Sequence, residues 1–261
     1  VGAAATGLRP IIEIQYMDWM TQATDQIVNM AAKMRYMSAG KVSIPLVVRT
    51  TCGNGEGMAA QHSQCFVNWL NAVPGLKIVA PVTPYDAKGL LKAAIRDDNP
   101  VIFVEDRPSY PLKGEVPAED YIVPIGKAAI RMQGADVTVV SYSMMAYKAE
   151  KAAQELLQAG ISCEVIDLRS LLPLDYETVM KSIQKTGRVV VAQETSRRGG
   201  IASDIVAEII DRGFHLLKAA PVRVGGLNVP MPFSKVLEET AVPDVQKIKS
   251  AIEMCVRGEK E

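Results

Sequence analysis

Short apolar runs rich in β-branched residues alternate with helix-like patterns along the whole chain, and this alternation limits the fold more than any other feature. Such alternation is typical of βα units, which build a parallel sheet with helices on its faces. Strands are predicted over 10–15, 46–49, 77–80, 101–105, 137–141, 162–168, 188–193 and 222–224. Helices are predicted over 18–36, across the segment that carries His62, and over 86–95, 146–158, 176–184, 201–211 and 245–256. The sequence therefore predicts an α/β protein.

The alternation stops after residue 106, where three prolines and a glycine mark an irregular segment. We expect a first domain over 1–106, a linker over 107–120 and a second domain over 121–261, each built on a parallel sheet. Residues 121–131 resemble an entering strand or ribbon of the second domain. Residues 1–8 lack an initiator Met and have the pattern of a helix end. We therefore expect the first domain to begin part-way through.

The charged residues balance, because Lys plus Arg and Asp plus Glu number 29 each. This balance does not suggest nucleic acid or another polyanion as a partner. No apolar run reaches the roughly 20 residues that span a bilayer, and no secretory leader pattern opens the chain. The four cysteines form no C-x-x-C pair, so neither a zinc site nor a disulfide framework is indicated. We expect a soluble intracellular protein that acts on small molecules or associates with other proteins.

His62 is one of only two histidines and follows a glycine-rich loop, Gly53–Gly57, at the end of a predicted strand. Ligands of open α/β sheets bind beyond the carboxyl ends of the strands, and an imidazole there can exchange a proton near neutral pH. His62 is therefore the first candidate for acid–base chemistry, although a polar residue at a helix start would look the same. The loop reads G-x-G-x-G, which is neither the dinucleotide fingerprint nor a P-loop. The second histidine, His215, is interpreted as structural.

For several other residues, a ligand-binding role and an ordinary structural role are both consistent with the sequence. Tyr16 and Trp19 follow the first strand, where an aromatic ring can stack on a heterocycle or pack at an interface. Asp97 and Asn99 end a helix before a proline, so their oxygens suit a hard cation or a turn. The pair Arg197-Arg198 suits an anion or a partner's carboxylates, or has no specific role. No Ser-His-Asp order, H-E-x-x-H pair or Walker sequence supports a hydrolase or kinase.

Taken together, nine stretches resemble the β subunits of thiamine-diphosphate-dependent 2-oxo acid dehydrogenases, and the resemblance extends over essentially the whole chain. The stretches are 6–13, 25–29, 59–64, 74–77, 86–91, 99–101, 163–170, 185–188 and 229–233. The resemblance implies a transketolase-like chain with a pyrimidine-binding domain, N-terminally truncated here, followed by a transketolase C-terminal domain. It also implies an active site between subunits, in which an α subunit holds the diphosphate through Mg²⁺ and the β subunit holds the aminopyrimidine.

The resemblance carries over to individual residues. Trp19 falls where the family has an aromatic against the pyrimidine, and Gln22 is a neighbouring lining position. His62 matches the β-subunit active-site histidine, which faces the reacting carbon and assists substrate binding or acyl transfer to lipoamide. A structural potassium site would involve the carbonyls of Leu46 and Ala94 together with Asp97 and Asn99. The family's glutamate that bonds the pyrimidine lies upstream of the stretch matching residue 1, so we expect this chain alone to be inactive.

The expected function is that of the β subunit in thiamine-diphosphate-dependent cleavage of acetoin or pyruvate, with acyl transfer to lipoamide. Residues 49–51, 105–110 and 114–117 look closest to acetoin dehydrogenases. Expected partners are an α subunit in an α2β2 heterotetramer, a lipoyl acyltransferase core and a second β subunit. The expected location is the cytoplasm, or the mitochondrial matrix in a eukaryote. A non-catalytic dimeric scaffold and, more weakly, a nucleotide-binding α/β protein remain alternatives.

Overall fold

The computed structural model describes residues 1–259 and divides into two compact units. The first unit comprises Val1–Gly126 and Arg169–Pro173, and the second comprises Lys127–Leu168 and the chain from Leu174 onward. The chain therefore returns to its first unit for a five-residue segment before it continues the second. The predicted division at residues 106 and 121 stays a prediction.

Ten strands and ten α-helices follow one another along residues 1–259. The strands are β1 (Ile11–Ile14), β2 (Val47–Cys52), β3 (Lys77–Val79), β4 (Val101–Asp106), β5 (Ala129–Met132), β6 (Val137–Ser141), β7 (Cys163–Asp167), β8 (Ser170–Leu172), β9 (Val189–Ser196) and β10 (Val222–Gly226). The helices are α1 (Gly2–Ala5), α2 (Met20–Asp25), α3 (Ala32–Met37), α4 (Val67–Asn71), α5 (Pro84–Arg96), α6 (Ser143–Gln158), α7 (Tyr176–Thr186), α8 (Ile201–Gly213), α9 (Lys235–Ala241) and α10 (Val245–Arg257). None of these helices is both long and apolar enough to cross a membrane.

The sheet of the first unit has the order β1-β2-β4-β3-β8, in which only the β3–β8 pair is antiparallel. Strands β2 and β4 are buried along most of their length, as expected where helices cover both faces of a parallel sheet. Helix α5 begins at a Thr83 cap, whose hydroxyl accepts the Asp86 amide at 3.0 Å, with Pro84 in the first turn. Its buried Leu90 and Ala94 pack on the sheet and fix the helix against β4.

The sheet of the second unit has the order β10-β9-β6-β7-β5, in which only the β7–β5 pair is antiparallel. Helices α6 and α10 pack apolar residues against β6, β7 and β9 to form a buried cluster. Asp244 begins α10 by accepting the Lys247 amide at 2.7 Å, and Gly258 ends it in the left-handed conformation. The α/β prediction is thus confirmed for both units, with one antiparallel edge strand added to each sheet.

Three local features differ from the sequence prediction. His62 lies in an irregular segment rather than on a helix, because α4 begins only at Val67. The predicted helix over 18–36 is present, but it consists of a 3-10 turn, α2, a π-helical stretch over Gln26–Ala31 and α3. The short strand β8 and the helix α9 were not predicted.

Gly75, just before β3, tests how tightly α3 packs against the sheet. It has φ +102°, and an added Cβ would overlap the carbonyl oxygen of Ala32 in α3. Gly7 has the same φ, but its Cβ would meet open space among the described residues. Gly7→Ala should therefore lower the free energy of unfolding by about 1–2 kcal/mol through backbone strain alone. Gly75→Ala should cost about 1–3 kcal/mol more through the added clash.

Urea unfolding of the two glycine variants, followed by circular dichroism, measures this difference. Equal losses of stability would show that α3 moves freely relative to the start of β3, which would contradict the packing described here.

Candidate active site

The candidate site lies beyond the carboxyl ends of three neighbouring parallel strands. Strand β1 pairs with β2, and β2 pairs with β4 so that Cys52 is opposite Asp106. The segments that follow these strands therefore meet at one edge of the sheet. The Thr51 hydroxyl at the end of β2 donates to the Gln15 carbonyl just after β1 and ties two of the segments together.

Three aromatic rings gather at this edge. The His62 ring lies 4.8 Å from the ring of Tyr16 and 5.5 Å from that of Trp19, with interplanar angles of 81° and 73°. Tyr16 and Trp19 are 5.4 Å apart at 86°. All three contacts are edge-to-face, the arrangement that places a positive ring edge on a negative ring face. Trp19 keeps 45% of its surface exposed, so the cluster has an open aromatic side.

The predicted residues Tyr16, Trp19 and His62 are thus brought together, although 43 positions separate Trp19 from His62 in the sequence. Gln22 is exposed on α2, three residues after Trp19. His215 is exposed in a short 3-10 helix of the second unit and makes no part of this cluster.

Arg107 holds the loop that carries His62. Its Nη2 donates to the carbonyls of Gly53 at 2.7 Å and His62 at 2.9 Å, and its Nε lies 3.1 Å from a Glu56 carboxylate oxygen. The guanidinium carbon is 5.0 Å from the Tyr16 ring centre, in cation–π contact. The side chain is only 8% exposed. Arg107 therefore fastens both ends of the loop to the end of β4.

Sequence reasoning missed Arg107, because the residue stood at the start of a segment interpreted as a linker. Its position in the sequence could have identified it as a candidate. Arg107 is the first residue after β4, and β4 neighbours the strand that leads into the glycine-rich loop. A cation at that position faces the carbonyls of the adjacent loop.

Gly53, the first residue of the glycine-rich loop, packs closely against the end of β4. Gly53 has φ +105°, and a Cβ there would lie 2.5 Å from a carboxylate oxygen of Asp106 and 2.8 Å from Pro108. Only glycine fits this conformation beside β4. The Gly53 carbonyl accepts from Arg107, and the Glu56 carboxylate is ion-paired with the same guanidinium. A phosphate cradle needs N–H donors at such positions.

Asp18 joins the turn before α2 to the segment after His62. Its Oδ1 accepts from the backbone amide of Gln64 at 3.2 Å and from the side-chain amide at 2.8 Å. Asp18 is 6% exposed, yet its Oδ2 has no hydrogen-bond partner within residues 1–259, and the same holds for the buried Ser63 hydroxyl. Buried polar atoms are normally paired, so this corner can still bind polar groups of a ligand.

The four groups of the predicted cation site lie at the opposite end of the sheet. Asp97 Oδ1 accepts from the backbone and side-chain amides of Asn99 at 2.9 and 2.8 Å, and its Oδ2 is ion-paired with Lys77. The Leu46 carbonyl accepts from Val101 at 2.9 Å, and the Ala94 carbonyl accepts from Asp97 at 3.3 Å. Asp97 and Asn99 are thus in contact, and each of the four groups already has a protein partner.

The charge of Asp97 is stabilised in place. Burial opposes ionisation of its carboxyl group, but hydrogen bonds from Lys77 and Asn99 outweigh this effect, so the pKa of Asp97 lies below its ordinary value. No group of three or more His, Cys, Asp or Glu side chains able to hold a metal ion occurs within residues 1–259. The oxygens of the predicted cation site are one carboxylate, one amide and two backbone carbonyls, and each group already has a partner in the protein.

Comparison with known proteins shows that both units match domains of one class of protein. The transketolase pyrimidine-binding domain matches residues 1–113, and the transketolase C-terminal domain matches residues 126–248. A solved structure described as a split gene transketolase, inactive β4 tetramer, aligns with a TM-score of 0.80 at 24% identity, covering 99% of this chain and 79% of that chain. The fold is that of a transketolase-like protein with both domain types in this order.

Relatives identify the family within this class. The chain is 46% identical over 260 residues to the acetoin:2,6-dichlorophenolindophenol oxidoreductase subunit β of Cupriavidus necator, covering 100% of this chain and 77% of the relative. It is 44% identical over 255 residues to the mitochondrial pyruvate dehydrogenase E1 component subunit β-1 of Arabidopsis thaliana, covering 96% and 70%. This chain belongs to the β-subunit family of the thiamine-diphosphate-dependent acetoin and pyruvate dehydrogenases.

The role of Arg107 in the loop can be tested by removing its charge. Arg107→Met keeps an apolar stem but leaves the buried Gly53 and His62 carbonyls without their donor. The free energy of unfolding should fall by about 3 kcal/mol, the usual cost of breaking a buried charged contact. Glu56→Gln removes only a partner that is 39% exposed and should cost less than about 1 kcal/mol.

Chemical denaturation of the two variants beside the unaltered chain gives both values. If Glu56→Gln were as damaging as Arg107→Met, the ion pair rather than the two carbonyl contacts would hold the loop, and the account of Arg107 would be wrong.

Proposed function

We propose that this chain is the β subunit of a component that cleaves acetoin or pyruvate with thiamine diphosphate and passes the acyl group to lipoamide. The observation that carries the proposal is the contact of His62 with Tyr16 and Trp19 at the carboxyl ends of β1 and β2. The names of the relatives support the two substrates, since they are acetoin oxidoreductase and pyruvate dehydrogenase subunits.

The residues at this edge fit an aminopyrimidine ring. Trp19 offers an exposed aromatic surface, and Asp18 and Ser63 beside the cluster each retain a buried polar atom without a partner within residues 1–259. A flat heterocycle with polar substituents uses both kinds of group. We assign Trp19 and Gln22 to the contact with the pyrimidine. Thiamine diphosphate supplies, when bound, the carbon nucleophile that the side chains of a protein lack.

His62 supplies the acid–base group of the proposed site. Edge-to-face contacts with two rings restrict the imidazole. The hydrogen bond from Arg107 to the His62 carbonyl fixes the backbone. One ring nitrogen can then hold or accept a proton at a fixed place beside the open face of Trp19. A positioned proton donor or acceptor of this kind serves substrate binding and the transfer of the acyl group.

The proposed partners follow from the family. An α subunit would hold the diphosphate of the cofactor through Mg²⁺ and assemble with this chain as an α2β2 heterotetramer with a β–β contact. A lipoyl acyltransferase core would receive the acyl group. The proposed location is the cytoplasm, or the mitochondrial matrix in a eukaryote, and it is supported by one relative of bacterial origin and another whose name says mitochondrial.

His62→Ala tests the proposed chemistry. In the complex reconstituted with an α subunit, the variant should lower turnover by about 10²–10⁴-fold, because one positioned acid–base group is lost. The melting temperature should change little, since His62 is only half-buried. His215→Ala, at the exposed second histidine, is the matched control and should leave turnover unchanged.

A His62→Ala variant with full turnover and a lower melting temperature would make His62 a structural residue. A correctly assembled complex that binds the cofactor but turns over neither substrate would instead favour a non-catalytic scaffold.

We also propose a structural potassium ion beside Asp97, Asn99 and the carbonyls of Leu46 and Ala94. The stabilised Asp97 charge and its oxygen-bearing neighbours support this assignment. Lys77 already shares the Asp97 carboxylate and Arg35 donates to Asn99 Oδ1 at 3.0 Å, so potassium would have to share these oxygens with the two side chains. Leu46 immediately precedes β2, and Gly53 immediately follows it, so an ion here would act on the His62 loop through β2.

Potassium should therefore raise the free energy of unfolding by about 1–3 kcal/mol at saturation, since a ligand of the folded state stabilises it. Asp97→Ala should abolish this dependence. Asp98→Ala, which removes the exposed neighbouring carboxylate paired with Arg9, should preserve it. Thermal melts in potassium chloride and in tetramethylammonium chloride of equal ionic strength separate binding from screening, and identical melts in the two salts would refute the site.

A further inference from the structure

A cavity of about 440 Å³ in the first unit shares no lining residue with the candidate active site or with the proposed potassium site. It lies at the carboxyl ends of β3 and β4, which are parallel neighbours, beside the first turns of α5. Ligands of open α/β sheets bind at this position. The volume falls within the range of about 300–1,000 Å³ that is usual for small-molecule sites.

The floor of this cavity is apolar and belongs to the core of the first unit. Phe103 of β4 and Val82 after β3 are buried, and Leu91 of α5 packs on the same apolar cluster as Phe103. Ala87, one turn before Leu91, also lines the cavity, and its short side chain leaves space between the helix and the end of β4. A ligand that enters therefore contacts apolar side chains of both the helix and the strand.

The outer wall is formed by the segment after β4, and hydrogen bonds within the protein hold it in place. The Ser109 hydroxyl donates to the Asp106 carbonyl at 2.6 Å, and the Leu112 amide donates to the Ser109 carbonyl at 2.9 Å. The Tyr110 hydroxyl donates to the Glu105 carboxylate at 2.7 Å. Because the wall is ordered before a ligand enters, binding costs little conformational freedom.

Glu105, one of two charged residues that line the cavity, is neutralised by Arg49. Its Oε1 accepts from Arg49 Nε at 2.7 Å, and its Oε2 accepts from Arg49 Nη2 at 3.2 Å and from the Tyr110 hydroxyl. Burial and the hydrogen bond to Glu105 raise the pKa of Tyr110, so its hydroxyl stays protonated. The carboxylate is thus already compensated, and it does not favour a cationic ligand.

Lys88, the other charged residue of the lining, directs its ammonium group to residues outside the cavity. Its Nζ donates to the carbonyls of Pro117 and Glu119 and lies 4.9 Å from the centre of the Tyr121 ring. None of these three residues lines the cavity, so Lys88 contributes its apolar stem to the wall. The lining therefore favours neither an anion nor a cation.

We propose that this cavity binds a neutral, flat ring molecule of about the size of indole. The compensated charges of the lining select a neutral ligand. Two aromatic rings, Phe103 and Tyr110, and two prolines, Pro81 and Pro84, offer flat apolar faces, which select a ring. The site is independent of the acid–base chemistry of His62.

Isothermal titration of the full chain with indole, N-methylquinolinium and indole-2-carboxylate tests the charge preference. These probes are a neutral ring, a cation and an anion of similar size, and the charge of each ion lies on the ring or next to it. Indole should bind saturably at one site. The two ions should bind about tenfold more weakly or not at all, because a charge brought into the cavity finds no free counter-ion in the lining.

Two variants with matched controls locate the binding. Ala87→Leu fills the cavity and should abolish saturable indole binding, whereas Ala93→Leu, on the same helix but outside the lining, should preserve it. Leu112→Ser removes an apolar contact and should weaken binding about tenfold. Val116→Ser, at an exposed apolar residue of the same segment outside the lining, should leave the affinity unchanged. Circular dichroism of each variant checks that the fold is retained.

The absence of saturable indole binding would overturn the proposal, and so would either ion binding as tightly as indole. Equal losses in the variants and in their controls would show that the binding is not in this cavity. Trp19→Leu should leave the affinity unchanged, because the exposed ring of Trp19 is not part of the lining. A loss in that variant would move the binding to the candidate active site and would also contradict the proposal.

Discussion

The arrangement at the candidate active site depends on one buried cation. The Arg107 guanidinium has lost most of its contact with water and must be compensated by acceptors and negative charge. It donates to the carbonyls of Gly53 and His62, is ion-paired with the Glu56 carboxylate and lies over the face of Tyr16. The two carbonyl contacts hold the backbone of the loop at Gly53 and at His62. The position of His62 follows from them, and the aromatic contacts follow from that position.

The sheet brings these groups to one place. Because β1, β2 and β4 are parallel and in register, the residues after each strand meet at the same edge. The aromatic turn comes from β1, the glycine-rich loop from β2 and the arginine from β4. The Asp97 corner occupies the other end of the same strands, with Lys77 opening β3 and Leu46 preceding β2. Strand β2 is thus the direct covalent link between the carboxylate corner and the His62 loop.

The sequence predicts the alternation of strands and helices well, because buried parallel strands need continuous apolar runs such as Val101–Val104. It does not predict where α4 begins. The amides of Gln64 and Phe66 donate to Asp18 and to the Met17 sulfur at 3.2 and 2.9 Å instead of entering a helix, and only the tertiary structure supplies those acceptors. Strand β8 is three residues long and pairs with a distant strand, so it leaves no periodic signal. Tyr16, Trp19 and His62 were candidates by position, whereas Arg107 required knowledge of which strands are neighbours.

The central claim is that His62 is held in edge-to-face contact with Tyr16 and Trp19 at the carboxyl edge of the sheet. Nuclear Overhauser effects between the His62 ring protons and selectively labelled aromatic residues measure this contact directly. The chain contains one other histidine, His215, so the imidazole signals are readily assigned with a His215→Ala variant. The account predicts cross-peaks from His62 to both rings. Cross-peaks to neither ring in the folded chain would contradict it.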